Sequence, residues 1–151
     1  MPVDFIVSSL PTLAFNAPAP ISWEKFTETI GDATVLSHLT RGFEDLETQL
    51  RNAIAEARGG ERFKRPAEGC SLYWKNRILA CFQEKDVAKR EELLDRTWWD
   101  AAGELTPPSE PLGPGALATY AVRLKIALKR SLISKDAGNA SFDRLTAETK
   151  R

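Results

Sequence analysis

Apolar side chains recur every three or four residues between positions 33 and 57, and this repeat constrains the fold more than any other feature of the chain. The repeat consists of Val35, Leu39, Phe43, Leu46, Leu50 and Ile54. Most charged residues of the segment fall outside this stripe. Because a stripe with helical spacing is buried only against other elements, it predicts an amphipathic helix, beginning at Asp32 or Thr34, within a helical core. The paired glycines at 59–60 end this helix near Ala57.

Further segments have helical spacing, and residues with known capping preferences mark their ends. Ser22 is a good N-cap residue for the first of them, and Gly31 ends it. Prolines and glycines at 106–114 separate the later helices from the earlier ones. Besides the helix that ends near Ala57, the predicted helices cover residues 22–30, 71–84, 87–105, 115–135 and, after Gly138, a short terminal segment at 141–149.

The first 21 residues are predicted to form an extended, proline-rich arm. Residues 3–7 have the apolar and β-branched composition of a strand, but the rest of the sequence offers no second convincing strand. They are expected either to lie extended on the helices or to pair with a partner protein. Residues 8–21 contain three prolines, which resist helix interiors and cannot complete a sheet ladder.

We therefore predict one all-α domain of five or six helices with an extended N-terminal segment, since 151 residues suffice for a single domain. Within it, the arm takes residues 1–21, helices one to four take 22–105, a Pro/Gly connector takes 106–114 and the C-terminal helices take 115–149.

The overall charge of the chain is balanced. Its 21 basic and 21 acidic residues give no general attraction to nucleic acid or to anionic membranes. No apolar run approaches the roughly 20 residues that span a bilayer, and the N-terminus lacks the basic region of a signal peptide. We therefore expect a cytoplasmic protein.

Two adjacent tryptophans, Trp98 and Trp99, lie in the fourth predicted helix. Successive helix residues are about 100° apart, so only one of the two rings can face the core. Trp98 falls on the inner stripe with Leu94, Ala101 and Leu105. Trp99 is therefore predicted to face outward, where large aromatic side chains often contact another protein.

Residue types that carry catalysis or bind metals are few. His38 is the only histidine, and Cys70 and Cys81 fit no metal-binding spacing. If both cysteines lie on one helix, they are too far apart for a disulfide. The Gly-Pro-Gly at 113–115 is only loosely similar to a phosphate-binding loop, because no Gly-Lys-Ser/Thr follows it. We expect a protein that is not an enzyme and that uses no cofactor or metal.

The last long helix is basic. Arg123 and Arg130 share one side of it, whereas Lys125 and Lys129 share another, so they form no single stripe for a nucleic acid. Basic side chains beside an apolar face commonly extend past it to water. Nucleic-acid binding is therefore a minor alternative, and Lys129 and Arg130 are kept as candidate protein contacts.

Several short motifs along the chain resemble one bacterial family. They are Phe5-Ile6-Val7-Ser8-Ser9-Leu10-Pro11-Thr12-Leu13, Pro20-Ile21-Ser22 with Phe26, Lys75-Asn76-Arg77-Ile78-Leu79-Ala80, the block from Leu94 to Leu105, Tyr120-Ala121-Val122-Arg123-Leu124-Lys125-Ile126, and Gly138-Asn139-Ala140-Ser141-Phe142. The family is uncharacterised and is encoded beside subunits of V-type (A/V-type) ATP synthases. It is itself similar to the helical subunit that caps the membrane rotor ring and couples it to the central stalk. The chain departs from the family in size, because a middle segment is missing.

This resemblance implies a non-catalytic accessory or subunit-like protein that binds other subunits of a V-type ATP synthase through helical faces, at the periphery of the membrane. The residues that match the motifs of this family, and that the resemblance implies as interaction residues, are Asn76, Arg77, Tyr120 and Arg123. The complete set of candidate interaction residues is Trp99, Asn76, Arg77, Tyr120, Arg123, Lys129 and Arg130. The alternatives are a general helical adaptor unrelated to ATPases and, less favoured, a small enzyme or a nucleic-acid binder.

Overall fold

The protein is all-α in the part of the chain that the structure describes. This computed structural model describes the backbone of residues 2–31, 33–67 and 71–149, and the side chains of residues 2–31, 41, 43–67 and 71–133. Within these ranges there is no strand. The helices are α1 (Val3–Ser9), α2 (Trp23–Ile30), α3 (Ala33–Ala57), α4 (Leu72–Cys81), α5 (Val87–Ala102) and α6 (Pro114–Thr149), with short 3₁₀ helices at Glu61–Phe63 and Gly103–Leu105. The predicted fold class is therefore confirmed.

The helix ends follow from local chemistry. Ser22 accepts a hydrogen bond from the Lys25 amide through its side chain (3.1 Å) and so begins α2. Gly31 ends that helix with a φ of 82°, a left-handed conformation that glycine adopts without a steric penalty. Asp86 caps α5 by accepting from the amide of Ala88 (2.9 Å).

Two predicted segments differ from the structure. Residues 3–9 form the helix α1, so the strand-like interpretation of residues 3–7 is wrong, whereas residues 10–21 form no helix. Composition alone is a weak guide to a short element, and the helix buries Ile6, with α1 packed against α6. The predicted break at Gly138 is also wrong, because α6 continues to Thr149. A glycine inside a helix costs only about 1 kcal/mol, which does not end a long helix by itself.

The main core lies between α3, α4 and α5. It contains Phe43, Leu46, Leu50, Ala53, Trp74, Ile78, Cys81, Leu94, Ala101 and Ala102. A second apolar cluster joins α2 to α6, where Phe26 is fully buried against Leu124 and Ala121. None of the described helices combines the length and the apolar composition that crossing a lipid bilayer requires.

The first turn of α6 comes very close to the 3₁₀ helix that follows α5. A Cβ atom built on Gly115 would overlap the carbonyl oxygen of Leu105 and would touch Pro107 at 3.0 Å. On α6, Thr119 donates to the Ala102 carbonyl (2.9 Å) and also contacts the Thr106 hydroxyl (2.6 Å). These contacts fix the start of α6 against the end of α5.

Candidate functional site

The non-helical arm, residues 10–21, crosses α5 and α6 and is held by hydrogen bonds that are distant in sequence. The Tyr120 hydroxyl donates to the Pro11 carbonyl (2.7 Å), and the Ala19 amide donates to the Ser131 hydroxyl (3.1 Å). Burial raises the pKa of Tyr120 above its ordinary value, which further favours the protonated phenol that donates this bond. The arm is therefore attached to α6 near both of its ends.

Phe15 anchors the middle of the arm in a cluster of aromatic and cationic groups. Its ring meets Trp99 edge-on, with 5.6 Å between ring centroids. The guanidinium of Arg130 lies 4.2 Å from the Phe15 centroid, and that of Arg96 lies 5.2 Å from it. Such cation–π contacts stabilise by about 0.5–1 kcal/mol each where they are partly exposed. Phe15 and Trp99 are both only 7% exposed.

The prediction that Trp99 faces outward is wrong, because the arm covers it. Trp98 is the more exposed of the pair and is half-buried against the main core, with its ring 6.1 Å from that of Phe43. Helical spacing assigns one inner face, but α5 has α4 on one side and the arm on another. Trp99 is therefore part of the protein's own core.

Lys129 and Arg130 meet on a buried carboxylate of α5. Asp95 accepts from Lys129 Nζ (2.5 Å) and from Arg130 Nη1 (3.4 Å). The Asp95 side chain is 12% exposed, whereas that of Lys129 is 53% exposed. These ion pairs join α5 to α6 and hold Arg130 over Phe15, so both predicted residues make internal contacts here.

We expect Asp95→Asn to lower the free energy of unfolding by about 1–2 kcal/mol. This value lies between those typical of exposed and buried pairs, since Asp95 is buried but Lys129 is half in water. The matched control is Glu92→Gln, because Glu92 is exposed and lies 3.8 Å from Arg130. Urea titration of both variants should show a change below about 0.5 kcal/mol for the control. Equal losses in the two variants would contradict the importance of Asp95.

Arg123 lies beside Trp99 and lines an open groove under the arm. Its Nε donates to the Trp99 carbonyl (3.0 Å), and its guanidinium lies 5.4 Å from the centroid of the Trp99 ring. Burial lowers the pKa of Arg123 below its ordinary value; Arg96 lowers it further, whereas Asp100 opposes the change. The groove has a volume of about 370 Å³ and lies between α1, the arm, the connector before α6 and α6 itself.

Asn76 and Arg77 lie on α4, away from the groove lining. Arg77 Nη1 donates to Asp100 (2.8 Å), and its guanidinium lies 5.5 Å from the Trp74 ring centroid. Burial is the largest single effect on Arg77 and disfavours its charged form, but the hydrogen bonds and charges of Asp100 and Tyr73 together outweigh it, so the pKa of Arg77 is raised. Asp100 also pairs with Arg96 (3.4 Å), which links α4 to the cations around the arm.

The structure therefore divides the predicted interaction residues into two groups. Trp99, Tyr120, Arg123 and Arg130 lie against the arm or the groove beneath it and Lys129 joins Arg130 on Asp95, whereas Asn76 is exposed on α4 next to Arg77.

Sequence reasoning missed Phe15 and the two aspartates, Asp95 and Asp100. A large aromatic residue within a proline-rich segment was the one available signal that the arm docks somewhere. His38 lies in α3, but its side chain is outside the described residues, as is the whole of Cys70. Cys81 is buried and donates to the Arg77 carbonyl (3.2 Å). Among the side chains described, no group of histidine, cysteine and carboxylate residues is arranged to hold a metal ion.

Comparison with known proteins does not assign the chain to a family. No family model, no curated protein and no solved structure matches the chain. Function is therefore inferred from the described surfaces and from the short motifs in the sequence.

Proposed function

We propose that this protein is a non-catalytic accessory or subunit-like protein of a bacterial V-type ATP synthase, and that it binds other subunits through an exposed face of α4. This face consists of Leu72, Tyr73 and Asn76, all of which are exposed. Leu72 is 66% exposed and Tyr73 is 62% exposed. Adjacent large apolar side chains in water are the observation that supports a protein partner, because tyrosine and other aromatic residues are enriched in interface cores.

One of the family-like motifs and the exposed face lie on the same helix, α4. The segment Lys75–Ala80 is one of those that resemble the family encoded beside V-type ATP synthases, and it contains Asn76 and Arg77. The α4 face starts immediately before it. On this proposal the protein works at the periphery of the membrane, bound to the ATP synthase complex, and uses no cofactor.

The helix that carries the α4 face is packed against the core of the protein. The opposite side of the helix is buried through Trp74, Ile78 and Cys81. Trp74 Nε1 donates to Glu104 (2.6 Å), and the Tyr73 ring packs edge-on against Trp74 with 4.7 Å between centroids. A surface that is already ordered loses little conformational entropy on binding, which favours affinity.

A second exposed apolar pair lies on α6. Leu132 is 62% exposed and Ile133 is 57% exposed. The helix continues beyond them to Thr149. The alternative function, a general helical adaptor unrelated to ATPases, would use the same kind of exposed helical faces and differs only in the partner.

The proposal predicts that Leu72→Ser combined with Tyr73→Ser abolishes capture of V-type ATP synthase subunits by the tagged protein in the organism that encodes it. With purified stalk or rotor-cap subunits, the dissociation constant should rise about 30-fold or more, as expected for loss of a hot spot. The matched control is Val87→Ser, since Val87 is 64% exposed at the start of a different helix, α5.

Mass spectrometry of the captured proteins distinguishes the two candidate functions. ATP synthase subunits that are recovered with the wild type and with Val87→Ser, but not with the double variant, would support the proposal. A reproducible set of unrelated proteins that depends on the α4 face would support the adaptor instead. If ATP synthase subunits are captured equally by the double variant, the α4 face is not the binding surface.

A further inference from the structure

We propose that the groove between the arm and α6 binds a small organic carboxylate with a short apolar body, and that Arg123 is the residue that binds the carboxylate group. This inference is independent of the protein partner proposed above, since the groove and the α4 face share no residue. The groove volume of about 370 Å³ lies at the lower end of the range of small-molecule sites.

Arg123 has hydrogen-bond donors to spare. Of its donors, Nε is engaged by the Trp99 carbonyl (3.0 Å), and one face of the guanidinium is covered by the Trp99 ring. Arg123 forms no ion pair with any carboxylate whose side chain the structure describes. Asp100, the carboxylate that raises its pKa, is already paired with Arg77 and Arg96. The two Nη groups are thus free to donate to a bidentate anion, which a planar guanidinium fits well.

The hydroxyls of Tyr120, Thr119 and Thr106 in the groove already make hydrogen bonds within the protein. The Tyr120 hydroxyl donates to the Pro11 carbonyl (2.7 Å), and Thr119 donates to the Ala102 carbonyl (2.9 Å). Because the Thr119 proton is used, the 2.6 Å contact between Thr106 and Thr119 uses the Thr106 proton as well. Among the side chains that line the groove, Arg123 is the one cation, so it matches one singly charged group, and the Thr12 hydroxyl is a further donor that no described hydrogen bond uses.

Apolar side chains on two sides of the groove can contact a short apolar body on that anion. Val7, Leu10 and Leu13 line it from the α1 and arm side, and Trp99 and Ala116 line it from the helical side. A phosphate dianion would meet a single cation, Arg123, which balances only one of its two negative charges, so it is less well matched. A carboxylate that carries a small ring or a short branched chain satisfies both the cation and the apolar walls. Partial burial of Arg123 also strengthens its attraction for an anion, because water screens the charge less there.

Titration calorimetry with benzoate tests this site directly on the wild-type protein. Benzyl alcohol, which has a similar shape and no charge, is the neutral comparison, and inorganic phosphate is the comparison without an apolar body. We expect benzoate to bind at least about 10-fold more tightly than either comparison, because it alone satisfies both parts of the site. No benzoate binding, or equal affinity for benzoate and benzyl alcohol, would overturn the proposal.

Two variants locate the binding. Arg123→Met should weaken benzoate binding by about 10-fold or more, whereas Arg51→Met, at a 70% exposed arginine of α3, should leave it unchanged. Ala116→Leu should also weaken binding, because it fills the groove and leaves Arg123 in place. If Arg123→Met fails to fold, the Ala116→Leu variant alone tests whether benzoate binds in this groove. If circular dichroism shows both groove variants folded and both bind benzoate like the wild type, the site is not in this groove.

Discussion

Replacing Trp99 by alanine is expected to lower the free energy of unfolding by about 3–5 kcal/mol, the range for large aromatic residues removed from a core. Trp99 is 7% exposed and meets the Phe15 ring edge-on at 5.6 Å. Its ring also lies against the Arg123 guanidinium, at 5.4 Å from the centroid. The substitution therefore leaves a cavity, removes the aromatic partner of Phe15 and deprives Arg123 of the surface on which it lies.

Chemical denaturation monitored by far-ultraviolet circular dichroism measures this loss. The control is Tyr73→Ala, since Tyr73 is also aromatic and helical but 62% exposed, and it should cost no more than about 1 kcal/mol. A loss below about 1 kcal/mol for Trp99→Ala would mean that the arm does not cover Trp99 in solution. Such a result would restore the sequence-based prediction of an outward-facing ring.

Gly115→Ala is expected to lower the free energy of unfolding by about 2–3 kcal/mol, because the new methyl group would overlap a backbone carbonyl. Without that overlap the same substitution would stabilise α6 by roughly 0.5–1 kcal/mol, since alanine is the better helix former. A loss of stability in Gly115→Ala therefore indicates the overlap with the Leu105 carbonyl, and a gain indicates that the overlap is absent. The Leu105 carbonyl belongs to the 3₁₀ helix packed under α6, so neither backbone can move without disturbing the Thr119 contacts.

Gly103→Ala is the matched control for this prediction. A methyl group on Gly103 would meet only the end of the Arg123 side chain, at 3.1 Å, and a flexible guanidinium can shift by a few tenths of an ångström. The change in unfolding free energy should stay within about 1 kcal/mol. Thermal melts that show Gly115→Ala as stable as the wild type would contradict the close approach of α6 to Leu105.

The helices between 22 and 105 could be predicted from the sequence because their information is local. The apolar stripe of α3 repeats with helical spacing, and Ser22 and Gly31 fix the ends of α2 through bonds to near neighbours. The same local rules fail where two conformations of a segment have nearly the same free energy. Residues 3–7 suit a strand or a helix by composition, and Gly138 weakens a helix without being able to end it.

The candidate site depended on contacts that no local pattern contains. Trp99 is covered by Phe15, which lies in another segment of the chain, and the Tyr120 hydroxyl bonds to the carbonyl of Pro11. The sequence does identify the fifth predicted helix as basic, but it does not show that Lys129 and Arg130 share Asp95. Four of the predicted interaction residues, Trp99, Tyr120, Arg123 and Arg130, do lie against the arm or its groove, and the contacts described for them are within the protein itself.

The hydrogen bonds that attach the arm have a consequence for how the chain is made. Residues 11 and 19 leave the ribosome long before residues 120 and 131, to which they bond. Until α6 has been synthesised, Phe15 and Phe26 lack the partners on α6 that cover them. Contacts so distant in sequence form late and slowly, because a long loop must close first. The nascent chain therefore lacks the hydrogen-bond partners of its arm until α6 has emerged, although Trp99, which meets Phe15, is made earlier.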